Sequence, residues 1–162
     1  ELIEKLRSGQ SIAVVSDAGT PGISDPAYRV IRAALDEGIP VIAVPGASAV
    51  LPALVVSGLP TNRFAYEGFI PVKKGRKTFF EGMKKEERTI ILYESPHRLL
   101  KTLQQLQEAL GDRRISVSRE LTKKFEETVR GTLSEVITHY SSHPIRGEFV
   151  LVIGGAEHRK EL

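Results

Sequence analysis

Two loops of the sequence carry small polar residues in a pattern that is typical of a ligand site. The first loop, SDAGTPGISDP, runs from Ser16 to Pro26 and follows the apolar residues Ile12–Val15. The second loop, PGAS, runs from Pro45 to Ser48 and follows another apolar run. Glycines and small side chains let backbone amides and carbonyls approach a ligand closely. Because neither loop contains a lysine, the pattern favours a neutral or zwitterionic nucleoside over a triphosphate. The alternative is a long, capped turn that binds nothing.

Several common kinds of site have no motif in this sequence. Cysteine is absent, which excludes disulfides and thiolate chemistry and fits a reducing cytoplasm. The four histidines lack the spacing of metal ligands, so no metal site is predicted. We find no G-x-G-x-x-G, P-loop or G-x-S-x-G motif. No apolar run reaches the length of a membrane span, so no membrane partner is expected.

Basic residues are clustered although the formal net charge is only +3. Such clusters favour a polyanionic partner such as RNA, while the alternative for each is an ordinary solvated surface. The first cluster contains Lys73, Lys74, Arg76 and Lys77, and the second contains Arg113, Arg114, Arg119, Lys123 and Lys124.

The first sixty residues alternate between predicted strands and helices. After a helix at the start of the chain, the pattern predicts strands at Ser11–Ser16 and Pro40–Val44. Each strand is followed by a helix, the first from Pro26 to Glu37 with Asp25 as its N-cap. This alternation is typical of a parallel sheet, and the two loops would then lie at one edge of it. Two strands do not complete such a sheet, so we interpret the chain as an N-terminally truncated fragment.

The rest of the chain predicts a second lobe with a mixed sheet. We place the boundary between residues 60 and 61, which gives an N-terminal lobe of residues 1–60 and a C-terminal lobe of 61–162. Thr132 and Glu135 match a capping box at the start of a helix. The predicted strands of this lobe are Phe64–Ile70, Thr89–Tyr93, Arg114–Ser118, Phe125–Arg130 and Glu148–Ile153.

Six strings of the sequence, taken together and in order, resemble a known family. They are VVSDAGTPGISDPAY, VPGASAVLPAL, GLPTNRFAYEGFIP, ILYESPHRL, SRELTKKFEETVRG and RGEFVLVIGG. The chain resembles the ribosomal RNA small-subunit methyltransferase I family, the cytidine-2′-O-methyltransferase branch of the tetrapyrrole-methylase-like superfamily. The resemblance covers about Gln10 to Gly155. It implies a two-lobed α/β fold, here with a partial N-terminal parallel-sheet lobe and a complete mixed-sheet C-terminal lobe.

The resemblance also implies a cofactor, an acceptor and an assembly. These are S-adenosylmethionine, a cytidine ribose of small-subunit ribosomal RNA, and a homodimer. Gly19-Thr20-Pro21 stands where the superfamily usually has Gly-Asp-Pro, so the contact made by Thr20 is open. The family's N-terminal glycine-containing loop and its Glu-Asp-Thr-Arg segment have no counterpart here. The residues matched to cofactor-binding positions are Asp17, Gly19, Thr20, Pro21, Ile23, Pro45, Gly46, Ser48, Ala49, Tyr93, Glu148 and Phe149.

Methyl transfer to a ribose hydroxyl requires positioning and benefits from a general base. Of the acidic candidates Asp17, Asp25, Glu94 and Glu120, we expect Asp25 to cap a helix. Glu94 and Glu120 are the catalytic candidates, although surface salt bridges would explain them equally well. For RNA phosphates we expect contacts from Lys73, Lys74, Arg76, Lys77, Arg119 and Lys123.

Two other functions stay open at this point. One is methylation of a tetrapyrrole acid, against which the YESPHR and RELTKKFEE strings and the basic clusters weigh. The other is a non-catalytic domain that binds RNA or a nucleotide, which the missing N-terminal segment makes reasonable for this fragment.

Overall fold

The computed structural model describes residues 1–156, which form six helices and five strands. The chain divides into two compact units, Glu1–Ser48 and a second unit that begins at Ala49. In chain order the elements are α1 (Leu2–Arg7), α2 (Tyr28–Asp36), α3 (Val50–Ser57), β1 (Phe64–Phe69), α4 (Arg76–Met83), β2 (Thr89–Glu94), α5 (Leu99–Leu110), β3 (Arg114–Arg119), β4 (Glu127–Thr132), α6 (Leu133–Ser142) and β5 (Phe149–Ile153).

All five strands of the described chain belong to the second unit and form one mixed sheet. The strand order is β1-β2-β5-β3-β4. β1 and β2 are parallel, with Phe64 opposite Thr89, and α4 lies between them in sequence. The remaining neighbours are antiparallel, including β5, which pairs with β2 on one side and β3 on the other. The mixed sheet predicted for the C-terminal lobe is therefore confirmed.

The sheet buries apolar side chains on both faces because its central strands are apolar at successive positions. On one face, Ile90 and Leu92 of β2 pack with residues of α4, α5 and α6 in the larger core cluster. On the other face, Ile91 packs with Ala53 and Leu54 of α3 in a smaller cluster. Successive side chains of a strand point to opposite faces, so a continuous apolar run serves two helical layers at once.

Helix α3 packs on the sheet of the second unit, where it contacts β3, β4 and β5. It ends at Gly58, whose φ of 74° is the left-handed conformation that glycine adopts without strain. The division between the two compact units thus falls before α3, whereas the sequence places the domain boundary after it. The boundary at residues 60 and 61 stays a prediction.

The first unit consists of α1, α2 and loops. Arg7 of α1 and Glu37, directly after α2, form an ion pair, with 3.0 Å between Arg7 Nε and Glu37 Oε2. The strands predicted at Ser11–Ser16 and Pro40–Val44 do not form among residues 1–48, so the parallel sheet expected there is not confirmed. Ile42 is 85% exposed. An isolated pair of strands gains too few hydrogen bonds and too little burial to hold together, so apolar alternation alone does not make these segments pair.

Candidate functional site

The loop from Ser16 to Pro26 is folded on itself by hydrogen bonds from short side chains. Ser16 Oγ donates to the carbonyls of Ala18 and Gly19, at 3.3 and 3.2 Å. Asp25 Oδ1 accepts from the amide of Gly22 at 2.8 Å and from that of Ala27 at 3.4 Å. Asp25 therefore stabilises the loop, and its predicted role as the N-cap of α2 is wrong. The helix begins at Tyr28, with Ala27 as its N-cap residue.

The two glycine-containing loops of the first unit contact each other. Thr20 Oγ1 donates to the carbonyl of Ala47 at 2.9 Å. A Cβ atom at Gly19 would lie 3.7 Å from that carbonyl oxygen, and one at Gly46 would lie 3.6 Å from Thr20 Oγ1. The glycines thus keep the junction free of side chains. This contact explains the threonine at position 20, because a hydroxyl can donate to a carbonyl whereas a carboxylate cannot.

The other predicted cofactor residues of this unit surround the junction in sequence and differ in exposure. Asp17, Ile23, Pro45 and Gly46 are exposed, and Pro21 and Ser48 are half-buried. Where Thr20 contacts Ala47, the carbonyl oxygens and small side chains suit a ligand that carries positive charge on sulfur, since a carbonyl dipole attracts a cation. Their assignment to a cofactor stays a prediction.

Of the predicted cofactor residues in the second unit, Phe149 belongs to the hydrophobic core and Ala49 packs against it. Ala49 packs against the smaller core cluster, directly before α3. Phe149 is 2% exposed, and its ring lies 5.8 Å from that of Tyr140. Both residues therefore have a packing role in this unit.

Tyr93 belongs to an aromatic cluster at the end of β2. Its ring lies 5.3 Å from that of Tyr66 and 5.4 Å from that of Phe69, both edge to face. Burial, followed by the interaction with Tyr66, raises the pKa of Tyr93 to about 12. The phenol therefore stays neutral at physiological pH, and it could donate a hydrogen bond but would not act as a base.

Glu94 is a buried carboxylate whose two oxygens both have partners. Oε1 lies 2.7 Å from Arg98 Nη2 and accepts from the amide of Ser95 at 2.8 Å. Oε2 accepts from the hydroxyl of Thr102 at 2.7 Å. These contacts give Glu94 a structural role, and a catalytic role for it stays a prediction.

Glu120, the other catalytic candidate, lies in a strained turn after β3. Glu120 and Thr122 have φ values of 48° and 66°, a conformation that is uncommon for residues other than glycine. Glu120 Oε1 accepts from the amide of Glu148 at 2.9 Å and from Lys123 Nζ at 3.2 Å. The amide of Glu148 and then the ammonium of Lys123 lower the pKa of Glu120. The carboxylate is therefore ionised but is a weakened base.

Gly147 and Lys123 hold this turn against the segment before β5. A Cβ atom at Gly147 would lie 2.6 Å from Glu120 Cγ, so only glycine fits there without displacing the glutamate. Lys123 Nζ also pairs with Glu148 Oε2 at 2.8 Å, which accounts for the predicted site residue Glu148. Strained residues that are held by many contacts occur often at functional sites. The turn is thus a candidate for a positioned functional segment.

The residues predicted to contact RNA differ in whether they are free to do so. Lys73, Lys74 and Lys77 are exposed, and Lys77 lies 4.0 Å from Glu81 in a loose pair. Arg119 pairs with Glu127 at 3.3 Å. Lys123, as described above, pairs with two carboxylates. The exposed lysines are therefore the better candidates for phosphate contacts.

Arg76 points into the second unit and makes three protein hydrogen bonds. It donates from Nη1 to the carbonyl of Pro71 at 2.9 Å, from Nη2 to Thr102 Oγ1 at 2.8 Å and from Nε to Gln105 Oε1 at 2.9 Å. Burial is the main effect on its pKa, which it lowers. The guanidinium is committed to the protein and is a poor candidate for an RNA phosphate.

Sequence reasoning missed Thr102 and Gln105 as partners of this group. Thr102 lies on the apolar stripe of α5, between Leu99 and Leu106, and is fully buried. A hydroxyl on a buried helix face needs a hydrogen-bond partner, and this was the sequence signal that could have identified Thr102.

Within residues 1–156 the structure contains no group of three or more side chains arranged to hold a metal ion. In the same range, no helix is long and apolar enough to cross a bilayer.

Comparison with known proteins gives matches over nearly the whole chain. The family profile described as Tetrapyrrole (Corrin/Porphyrin) Methylases matches residues 1–137. Ribosomal RNA small subunit methyltransferase I of Synechocystis is 52% identical over 158 residues, which cover 96% of this chain and 57% of that protein. The protein of that name from Thermotoga maritima is 44% identical over 157 residues, which cover 97% of this chain and 71% of that protein.

Solved structures match the fold. Uroporphyrin-III C-methyltransferase of Thermus thermophilus, in complex with S-adenosyl homocysteine, superposes with a TM-score of 0.60 at 20% identity. The match covers 97% of this chain and 72% of that one. At that identity the likeness concerns the fold alone. The chain spans about half the length of most of the curated relatives it matches.

Proposed function

Because this chain belongs to the tetrapyrrole methylase family and, within it, to the ribosomal RNA small subunit methyltransferase I proteins, we propose that it carries part of a methyltransferase that uses S-adenosylmethionine. The observation that carries the proposal is the 52% identity with the Synechocystis protein over 96% of this chain. The solved relative with S-adenosyl homocysteine, the product form of that cofactor, supports the choice of cofactor.

The two contacting loops of the first unit are the proposed cofactor-binding segment. Thr20 and Ala47 join them, and Gly19 and Gly46 place no side chain at the junction. Carbonyl oxygens there would face a sulfonium favourably, and the loops contain no lysine that would repel it. Asp17, Pro21, Ile23, Pro45 and Ser48 extend the same segment. In the second unit, the residues that match cofactor-binding positions of the family are Tyr93, Glu148 and Phe149, and their role stays a prediction.

The proposed acceptor is the ribose 2′-hydroxyl of a cytidine in small-subunit ribosomal RNA. When bound, S-adenosylmethionine would supply an electrophilic methyl group for transfer to the hydroxyl oxygen. This chain must then hold the acceptor and receive its proton. Of the two candidate carboxylates, Glu120 is the better candidate to receive the proton, since the carboxylate of Glu94 is buried with both oxygens engaged. The lowered pKa of Glu120 indicates that positioning contributes more than base strength.

Calorimetry with S-adenosylmethionine tests the cofactor assignment. We would titrate this chain and a version extended upstream to the length of its relatives. Binding by the extended protein is expected, and Thr20→Val should weaken it because the Ala47 carbonyl loses its donor. Thr138→Val, which changes a threonine at an exposed position of α6, is the matched control. If the extended protein binds no cofactor, the methyltransferase assignment fails.

Transfer of labelled methyl groups tests the acceptor. Label should enter small ribosomal subunits and, after digestion, should be found on a cytidine ribose. Label entering porphyrinoid acids instead would favour the tetrapyrrole alternative, to which the family description points. RNA binding by the extended protein without any transfer would favour a non-catalytic domain. An enzyme of this kind would act in the cytoplasm, where ribosomal subunits are found.

A homodimer is the proposed assembly. It follows from the family resemblance, and light scattering of the extended protein at micromolar concentration would measure it directly. A mass equal to one chain at that concentration would contradict the dimer without affecting the assignment of the reaction.

A further inference from the structure

An ionic network around one buried carboxylate joins the end of β2 to helix α5. Glu94 closes β2, and its side chain has no exposed surface. Arg98, just before α5, lies 2.7 Å from Glu94 Oε1, and Thr102 of α5 donates to Oε2 at 2.7 Å. The charge of the carboxylate is thus matched by one guanidinium and two neutral donors, the Ser95 amide and the Thr102 hydroxyl.

The network continues from Thr102 to a second arginine at the start of α4. Thr102 Oγ1 accepts from Arg76 Nη2 at 2.8 Å while it donates to Glu94. The Arg76 guanidinium also lies 5.1 Å from the centre of the Phe80 ring. One hydroxyl therefore connects the two charged groups, and its loss would separate them.

Both arginines donate hydrogen bonds to backbone carbonyls of the segment that follows β1. Arg98 Nη1 donates to the carbonyl of Ile70 at 3.2 Å, and Arg76 Nη1 donates to that of Pro71 at 2.9 Å. These are consecutive residues. The network thus holds two successive carbonyls from the inside of the protein.

The segment that follows these carbonyls is exposed and basic. We call residues 71–75 the basic loop; Val72, Lys73, Lys74 and Gly75 in it are exposed. The amide of Arg76 donates to the carbonyl of Lys73 at 3.3 Å, which closes the turn. Within the part of the chain that the structure describes, neither lysine side chain has an ion-pair partner. The loop therefore presents two free ammonium groups from a backbone that is anchored at both ends.

Burying the Glu94 carboxylate beside two half-buried arginines costs more desolvation than apolar packing would. Such a network is therefore better explained by the conformation it specifies than by stability. We propose that the Glu94–Arg98–Thr102–Arg76 network positions the basic loop so that Lys73 and Lys74 bind phosphates of the substrate RNA. This rests on the proposed function. Arg76 is then a positioning residue, which revises its predicted role as a phosphate ligand.

A double-mutant cycle tests the proposal, with small ribosomal subunits as the probe and the upstream-extended protein. The double variant Lys73→Ala, Lys74→Ala should make the fall of log affinity with log salt less steep by about 1.5, as expected for two lost phosphate contacts. Arg76→Lys keeps the positive charge but cannot reach its three acceptors together. It should weaken binding by about fivefold, within the range that loss of one or two phosphate contacts gives.

The coupling between the variants decides between positioning and direct contact. In the background without the two lysines, Arg76→Lys should have no further effect on affinity. Thr102→Val should behave like Arg76→Lys, and Thr102→Ser, which keeps the hydroxyl, should restore binding. Leu106→Val is the matched control on α5: it should lower the stability of the fold and leave the salt slope unchanged.

Two results would overturn the proposal. One is that Arg76→Lys and the lysine pair have independent, additive effects on affinity. The other is that the lysine pair can be removed without changing the salt slope. In both cases methyl transfer by the wild-type protein to small subunits would leave the proposed function intact. Absence of that transfer in the wild type would reject the proposed function itself, by a measurement that does not involve the basic loop.

Discussion

Glu94 shows how strongly one buried carboxylate can be committed to structure. Its oxygens accept from the amide of Ser95 and the hydroxyl of Thr102 and pair with Arg98. Removing the charge would leave the guanidinium of Arg98 without its counter-ion in a half-buried position. Breaking a buried pair in this way is usually far costlier than replacing both partners.

Glu94→Gln should therefore destabilise the protein by about 3 kcal/mol. Urea unfolding monitored by circular dichroism measures this, and Glu108→Gln, at an exposed position of α5, is the control. At saturating RNA, methyl transfer per folded molecule should change little, because the network that contains Glu94 is proposed to affect how tightly RNA is bound. A fall of about a hundredfold or more with unchanged stability, the size expected for loss of a general base, would instead support the catalytic assignment.

Glu86 is a carboxylate whose ionisation should make the stability of the fold depend on pH. Hydrogen bonds from the side chain and then from the amide of Arg88 lower the pKa of Glu86 to about 2. A lowered pKa stabilises the fold above the unfolded value of 4.5. That contribution is lost as the pH falls through the pKa that Glu86 has in the folded protein. The pair lies near the surface, so solvent screening limits it to about 1 kcal/mol.

Glu86→Gln should cost about 1 kcal/mol at pH 7, and the difference from wild type should vanish toward pH 2. Urea unfolding at pH 7, 4 and 2.5 would follow it. Glu87→Gln is the adjacent control at an exposed position. A difference between wild type and Glu86→Gln that stays constant over this range would show that the hydrogen bonds do not depend on the charge.

At the scale of elements, the junction of β4 and α6 is closed by side chains on both sides. Thr132 ends the strand and caps the helix, and its amide donates to Glu135 Oε2 at 2.8 Å. Asp112 accepts from the amide and the hydroxyl of Ser134, both at 2.8 Å. The amide of Ser134 is the main cause of the lowered pKa of Asp112. The chain thus passes from strand to helix without leaving these amides unpaired.

Thr132→Ala should lower the free energy of unfolding by about 1 kcal/mol, the usual cost of losing an N-cap. Thr132→Ser should recover most of it. Thr138→Ala, on the exposed part of the same helix, should change stability by no more than about 0.5 kcal/mol. Equal losses from Thr132→Ala and Thr138→Ala in chemical unfolding would mean that the capping box adds nothing to the fold.

At the scale of the whole molecule, the buried core lies in the second unit. Both core clusters are formed by residues from Val50 onward. Among residues 1–48 the apolar side chains that are buried are those of Ala27 and Ala34. Val15 and Val44 are 84% and 79% exposed. Segments with little burial open locally at low cost.

Hydrogen exchange should therefore divide the chain at the boundary of the two units. Amides of residues 1–48 should exchange faster than those of Ile90–Leu92 and Leu151–Ile153 by about a thousandfold or more. Mass spectrometry of peptides from one labelling series measures both regions in the same sample. Equal protection of the two regions would show that the first unit has stability that its own burial does not supply.

The sequence by itself predicted the mixed sheet of the second unit and the family of the chain. Alternating and continuous apolar runs locate β2 and β5, and the spacing of Thr132 and Glu135 predicts the capping box, because these signals are local. It also identified the loops that Thr20 and Ala47 join. Only the tertiary structure decided which charges are free. Arg76 and Lys73 look alike in a basic run, but Arg76 meets Thr102 through the packing of α4 on α5, a contact distant in sequence. The strands expected before residue 48 failed for the same reason, since pairing depends on neighbours that local alternation does not specify.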